Sequence, residues 1–247
     1  FQSEREIFST IAEELSMIPE DHDTDLIYKR HPFVYLVEAS DDICYNIIDM
    51  EDAHRLGILS RDQVAESFIS VIGEINNPMD NLHTIKEKYV RLSDDNAAIS
   101  YLRSKCINTL VEAASEVFIA NASSILAGTY NNTLIGEVEQ KAPQLKEIES
   151  LSIEKIYKHR SVIEIEIAGF NVMSELLNLF IPAVLSSSKK ANMEAARRLI
   201  PDQFKNQDEV SPYLKTMMVL DHVSSMTDDY ATEMYRKIKG IEISRHS

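Results

Sequence analysis

One stretch of the sequence places side chains where they could act together. Within Glu38-Ala-Ser-Asp-Asp-Ile-Cys-Tyr-Asn-Ile-Ile-Asp-Met-Glu-Asp-Ala-His54, the residues Asp41, Tyr45 and Asp49 are spaced i, i+4, i+8. On a helix each step of four advances about 40°, so the three cover about 80° of one face. The chemistry open to them is binding: carboxylate acceptors on either side of an amphipathic ring. The face lies near Cys44 and Ile48, and it is expected to point partly inward. An inward row of this kind costs stability unless it binds something. Periodicity alone favours a plainer reading, a solvated acidic face with Tyr45 at its edge.

Other chemical motifs fail. There is no glycine-rich phosphate loop, no C-x-x-C and no H-E-x-x-H. The seven histidines are scattered, and none pairs with another at metal-ligand spacing. The dipeptide His22-Asp23 sits in the polar run Pro-Glu-Asp-His-Asp-Thr-Asp. A second set of polar groups, Tyr101, Arg103 and Lys105, precedes an apolar stripe from Ile107 to Phe118.

The elements that must carry these residues are helices. Only 6 of 247 residues are glycine, where average usage gives about 17. Tight turns and phosphate loops consume glycine, so the chain reads as helices joined by few loops. Pro32 suits the first position of a helix that runs through Ile43 and Ile47 to Leu56, with Gly57 as its C-cap. Ser3 with Glu6 forms a capping box for a helix ending before Pro19, then a loop over Glu20 to Asp25. Ser60 opens a third helix, Leu82 to Leu92 forms a fourth, and Ser93-Asp94-Asp95 caps the longest, to about Leu126. Asn131 to Pro143 reads as a loop and Ser150 to Lys158 as helix. Val162 to Ile167 alternates like a strand, but Ser161 with Glu164 and the spacing Ile163, Ile167, Phe170, Leu177 favour a helix to Phe180. Lys189 to Leu199 and a Ser211-Pro212 start running to Lys239 complete the set, with a break near Ser225 to Thr227 and Thr227 as a candidate cap. The total is about 70–75% helix, far above the ordinary share. The expected division is 1–130 and 131–247.

Asp+Glu outnumber Lys+Arg by 40 to 25, a net charge of −15. Such a field argues against a nucleic-acid backbone or an anionic membrane as the main ligand. No apolar run approaches the ~18 residues of a membrane span, and the longest stretch, around Leu176 to Leu185, is broken by Asn178 and Pro182. Two cysteines, Cys44 and Cys106, both in apolar helical patterns, suit a reducing cytoplasm. The chain opens Phe-Gln-Ser-Glu-Arg-Glu, which reads as the interior of a longer protein.

His31-Pro-Phe-Val-Tyr-Leu-Val-Glu-Ala-Ser-Asp-Asp-Ile-Cys-Tyr-Asn-Ile-Ile-Asp-Met-Glu-Asp-Ala53 resembles a signature of the deoxyguanosinetriphosphate triphosphohydrolase-like (dGTPase-like) family of HD-domain proteins. Phe1-Gln-Ser-Glu-Arg-Glu-Ile-Phe8 resembles the segment upstream of that helix. Asp221-His-Val-Ser-Ser-Met-Thr-Asp-Asp-Tyr-Ala231 resembles the family's C-terminal helix, with Ser225 where glycine is usual. The resemblance implies an all-α fold, the C-terminal helical portion of an HD-type phosphohydrolase. It implies metal-dependent hydrolysis of a deoxynucleoside triphosphate to the deoxynucleoside and inorganic tripolyphosphate, with a divalent ion such as Mg2+ or Mn2+. Asp41 matches the family's last metal ligand. Tyr45 and Asp49 match the residues that line the deoxyribose, the ring against the 2′ position and the carboxylate on the 3′-OH. Arg103 is the candidate for a basic residue that reaches the substrate. The upstream histidine and His-Asp pair have no counterpart here, since His22-Asp23 lacks their apolar context, so this chain alone is expected to be inactive. The resemblance also implies a homo-oligomer. The alternative is an HD-derived helical protein that binds nucleotide as a regulator or only assembles.

Overall fold

The computed structural model describes residues 4–20, 26–78, 80–204 and 211–241. It is 77% helical, with twelve α-helices among the described residues. The only strands among those residues are two-residue pieces, Pro19–Glu20 and Ile27–Tyr28, paired antiparallel. The all-α expectation is met. By contacts the chain forms two compact units, one up to His159 and one from Arg160 onward.

The first unit is built on α2 (Pro32–Arg55), α3 (Arg61–Ile75) and α5 (Asp95–Ala120). Each starts where a side chain satisfies the free N–H groups of its first turn. His31 Nδ1 accepts from Phe33 N–H at 3.2 Å, with Pro32 at the first helical position. Ser60 and Gln63 close a reciprocal capping box, and Asp94 accepts from Ala97 N–H at 2.7 Å. The helix α2 ends at Gly57, whose φ of +71° is open to glycine at no cost. Its buried stripe of Tyr35, Ala39, Ile43, Ile47, Met50 and Ala53 packs with Phe68, Leu102 and Leu110. The thiol of Cys106 is fully buried, and burial pushes its pKa up, whereas Cys44 is exposed.

Three local expectations change. The longest helix stops at Ala120 and restarts as α6 (Ala122–Leu126), around Asn121, whose side chain donates to Val117 O. Asn131 to Pro143 is not a loop: α7 (Leu134–Lys141) is capped by Thr133 and buries Leu134, Ile135 and Val138. Eight residues hold too little periodicity to stand out, and packing on the core supplies what propensity lacks. The helix expected over 150–158 is α8 (Gln144–Leu151) with a π-helical turn after it, Ser152–Ile156. Because α7 and α8 pack into the first unit's core, that unit extends past residue 130, to His159. Ser3, of the first capping box, lies outside the described residues; α1 spans Arg5–Glu14, and α4 spans Leu82–Arg91.

The second unit centres on α9 (Arg160–Leu185), so the alternating Val162–Ile167 segment is helical. Among the described residues α9 alone is long and apolar enough, by length and composition, to cross a membrane. This differs from the expectation because Asn178 and Pro182 interrupt the apolar residues locally while the helix as a whole stays apolar. Leu176 and Phe180 of α9 form a core with Val219 and Val223 of α11 (Pro212–Ser224) and Met234 of α12 (Asp228–Ile238). Between them lies α10 (Ala191–Leu199). Thr227 caps α12 by accepting from Tyr230 N–H at 3.3 Å, so Met226-Thr227-Asp228 is a helix start.

Candidate functional site

The side chains of the Asp41 row are set by the helix that carries them. The buried stripe of α2 repeats every three or four residues, so its centre is fixed by Ala39, Ile43, Ile47 and Met50. At about 100° per residue, Asp41 falls almost opposite that centre, Tyr45 less so, and Asp49 at the edge of the core. The row therefore winds from solvent toward the interior. Asp41 is exposed, Tyr45 is 60% exposed and Asp49 is half-buried. The expected inward tilt holds only for Asp49. Cys44 is exposed with the rest of the outer face.

Asp49 has a partner that the sequence did not announce. The hydroxyl of Tyr157 donates to Asp49 Oδ2 at 2.6 Å. Tyr157 comes directly after the π-helical turn, and its own N–H donates to Ser152 O at 2.9 Å. The wider turn rotates the residues after it relative to a plain α-helix, which aims the ring at α2. Burial pushes the Tyr157 phenol up to about 12, and the hydrogen bond to Asp49 and the charges of Asp49, Tyr45 and Glu149 add to this. Asp49, Tyr157 and Tyr45 thus share one electrostatic neighbourhood. No described group engages Asp49 Oδ1, which leaves an acceptor free.

The other end of the row is a field of carboxylates. Burial raises the pKa of Asp42, and Asp41, Glu38 and Glu149 raise it further. Glu139 of α7 is raised too, by burial first, with Lys146 opposing and Glu149 and Asp42 adding. Carboxylates that raise one another's pKa form a negative field that a cation relieves. Asp41 is a hard, accessible oxygen donor of the kind Mg2+ or Mn2+ accepts. It is one ligand only: among the described residues no three His, Cys, Asp or Glu side chains converge on a point. His22-Asp23 lies outside the described residues.

Arg103 stands apart from the row. Its guanidinium pairs with Glu51 at 2.7 Å, and Arg55 holds the other oxygen of Glu51 at 3.0 Å. Glu51 is 2% exposed, so a buried carboxylate carries two arginines. Two residues past Asp49, Glu51 points about 160° away from it around α2, and it lies about 15 Å along the axis from Asp41. The structure brings Asp41, Tyr45, Asp49 and Tyr157 to one side of the helix and holds Arg103 at another. Arg30 and His31, beside Pro32, serve the start of α2: Arg30 pairs with Glu38 at 3.1 Å and His31 is the cap.

The chain is similar to known proteins along its length. Residues 135–237 match the model of a phosphohydrolase-associated domain. The all-α fold is consistent with such a domain. The chain is 31% identical over 245 residues to a deoxyguanosinetriphosphate triphosphohydrolase-like protein of Synechocystis, covering 98% of this chain and 52% of that protein. A protein of the same name from Listeria monocytogenes is 33% identical over 239 residues, covering 88% of this chain and 50% of its own length. A deoxyguanosinetriphosphate triphosphohydrolase of Klebsiella pneumoniae is 25% identical over 278 residues, covering 98% of this chain and 53% of its own length. The chain spans about half the length of these relatives. It is similar to the proteins so named and fits a C-terminal portion of them.

Proposed function

We propose that the intact protein is a metal-dependent deoxynucleoside triphosphate triphosphohydrolase and that this chain supplies its sugar-recognising helix together with one metal ligand. The observation that carries the reading is the Asp49–Tyr157 hydrogen bond beside Tyr45, two turns along α2 from Asp41. A bound divalent ion would neutralise phosphate charge and acidify a water. Asp41 would supply one of its oxygen ligands. Tyr45 and Asp49 lie about 6 and 12 Å further along the axis, a span that suits the distance from an α-phosphate to a deoxyribose. Asp49 Oδ1 accepts the 3′-OH, while Tyr157 fixes the carboxylate through Oδ2. The Tyr45 ring occupies the space a 2′-OH would need and so selects deoxyribose. In the reaction water oxygen bonds to the α-phosphorus and the bond to O5′ breaks. The nucleoside takes a proton and tripolyphosphate departs whole.

The protein acts in the cytoplasm as a homo-oligomer, with a deoxynucleoside triphosphate as its ligand. The test is a kinetic panel of the four deoxynucleoside triphosphates and GTP on the whole protein, with Mg2+ or Mn2+. Tripolyphosphate release from a deoxynucleotide, and little from GTP, is expected. Absence of release from any of them would leave nucleotide binding without hydrolysis as the function. The 247-residue chain alone is expected to release no tripolyphosphate.

A further inference from the structure

The second unit contains a cavity of about 690 Å³ that the row on α2 does not use. The described residues that line it lie between 184 and 204, with Lys215. Its size lies in the range of small-molecule sites. Its charge is opposite to that of the chain: among the described residues Lys189, Arg197, Arg198 and Lys215 line it against one carboxylate, Glu194, in a protein of net charge −15. Like charges gathered in one hollow repel, and a chain with 40 acidic residues has counterions to spare elsewhere.

One of the four cations builds the site. The Arg197 guanidinium donates to the carbonyls of Ala183 at 2.7 Å, Ser186 at 2.9 Å and Ser188 at 2.7 Å. Pro182 sits in the last turn of α9, and these bonds satisfy carbonyls at and beyond that helix end. The wall is therefore fixed before any ligand arrives. The other three, Lys189, Arg198 and Lys215, have no ion-pair partner among the described residues. They come from three places in the chain: the segment before α10, α10 itself and α11.

Apolar side chains complete the lining. Val184, Ile200 and Phe204 contribute to it, and Phe204 is backed by the ring of His222 at 5.3 Å. His222 in turn packs on Phe180 in the unit's core. An aromatic ring anchored to the core beside these cations suits a ligand with a flat or apolar body and an anionic end.

We infer that this cavity binds a small organic phosphate, its phosphate held by Arg198, Lys189 and Lys215 and its body against Phe204. Phosphate is favoured over a single carboxylate because three cations around one hollow match a dianion, and an arginine fork takes two of its oxygens. Glu194 then accepts from a hydroxyl or amino group of the body.

The test is calorimetric titration of the 247-residue chain with AMP, inorganic phosphate and adenosine. AMP offers no triphosphate to hydrolyse, so binding is read without turnover. AMP is expected to bind one to one with a dissociation constant below about 1 mM. Inorganic phosphate should bind more weakly and adenosine hardly at all. Arg198→Ala and Lys215→Ala should each weaken AMP about tenfold or more, since each removes a charge-assisted contact. Both positions can be truncated without opening the core, which circular dichroism will check. Asp49→Asn should leave AMP binding unchanged, which separates this site from the one on α2. The inference is overturned if AMP gives no saturable signal, if binding survives in the Arg198→Ala/Lys215→Ala double variant, or if Asp49→Asn abolishes it. Equal affinity for AMP and inorganic phosphate would overturn the organic body.

Discussion

Replacing Tyr157 by Phe removes one hydroxyl and almost nothing else. The lost contact is the 2.6 Å donation to Asp49 Oδ2, a hydrogen bond to a charged acceptor. Such bonds are worth about 1.5–3 kcal/mol when shielded from water. Tyr157 is 42% exposed, so water competes and the value falls to about 1 kcal/mol. The Phe ring keeps its packing, so the loss should be electrostatic in origin and shared with Asp49. A double-mutant cycle isolates it: Tyr157→Phe, Asp49→Asn and the pair, each unfolded in the calorimeter as the 247-residue chain. The expected coupling is about 1 kcal/mol, above the ~0.3–0.5 kcal/mol within which independent sites add. The same phenol gives a pH signature. Its proton is held to about pH 12 in the folded chain against 10.0 ordinarily. The folded state binds that proton more tightly, so the contribution is complete below pH 10 and is lost as pH rises toward 12. The Phe variant should lack this loss. In the whole protein a loosened Asp49 should raise KM for dGTP about fivefold, the factor that 1 kcal/mol carries. Additive single and double variants, within error, would refute the argument that Tyr157 positions Asp49.

Three other perturbations have defined outcomes. Asp41→Ala in the whole protein should abolish turnover through lost metal yet change stability by no more than about 0.5 kcal/mol, because the side chain is exposed; metal analysis showing wild-type content at a wild-type rate would remove Asp41 from the ligand set. Tyr45→Ala should narrow the preference for dGTP over GTP, read as the ratio of kcat/KM, and an unchanged ratio would leave Tyr45 as a surface residue. His222, 3% exposed between Phe180 and Phe204, has its pKa lowered from 6.5 by burial, so unfolded chains take up its proton first. Stability of the second unit is therefore full above pH 6.5 and falls as pH drops below it, and His222→Leu should flatten that slope in urea unfolding measured across the window.

Features that depend on neighbours three and four residues apart were legible before any fold was known. Glycine scarcity set the all-α class, since helices joined by short connections leave few backbone positions that need it. Pro32, Ser60, Asp94, Ser211 and Thr227 marked helix starts because a cap acts on N–H groups within its own first turn. The i, i+4 spacing likewise placed Asp41, Tyr45 and Asp49 on one face. Which way that face points was decided by the stripe α2 buries, and the core lies on the other side. Tyr157 reaches Asp49 across 108 residues and Arg103 reaches Glu51 across 52. Neither pairing has a local signal, because any phenol or guanidinium on a helix surface looks the same until packing chooses its neighbour. Long-range packing turned a row of three side chains into a carboxylate held by a phenol, and it committed the expected substrate arginine to a buried glutamate.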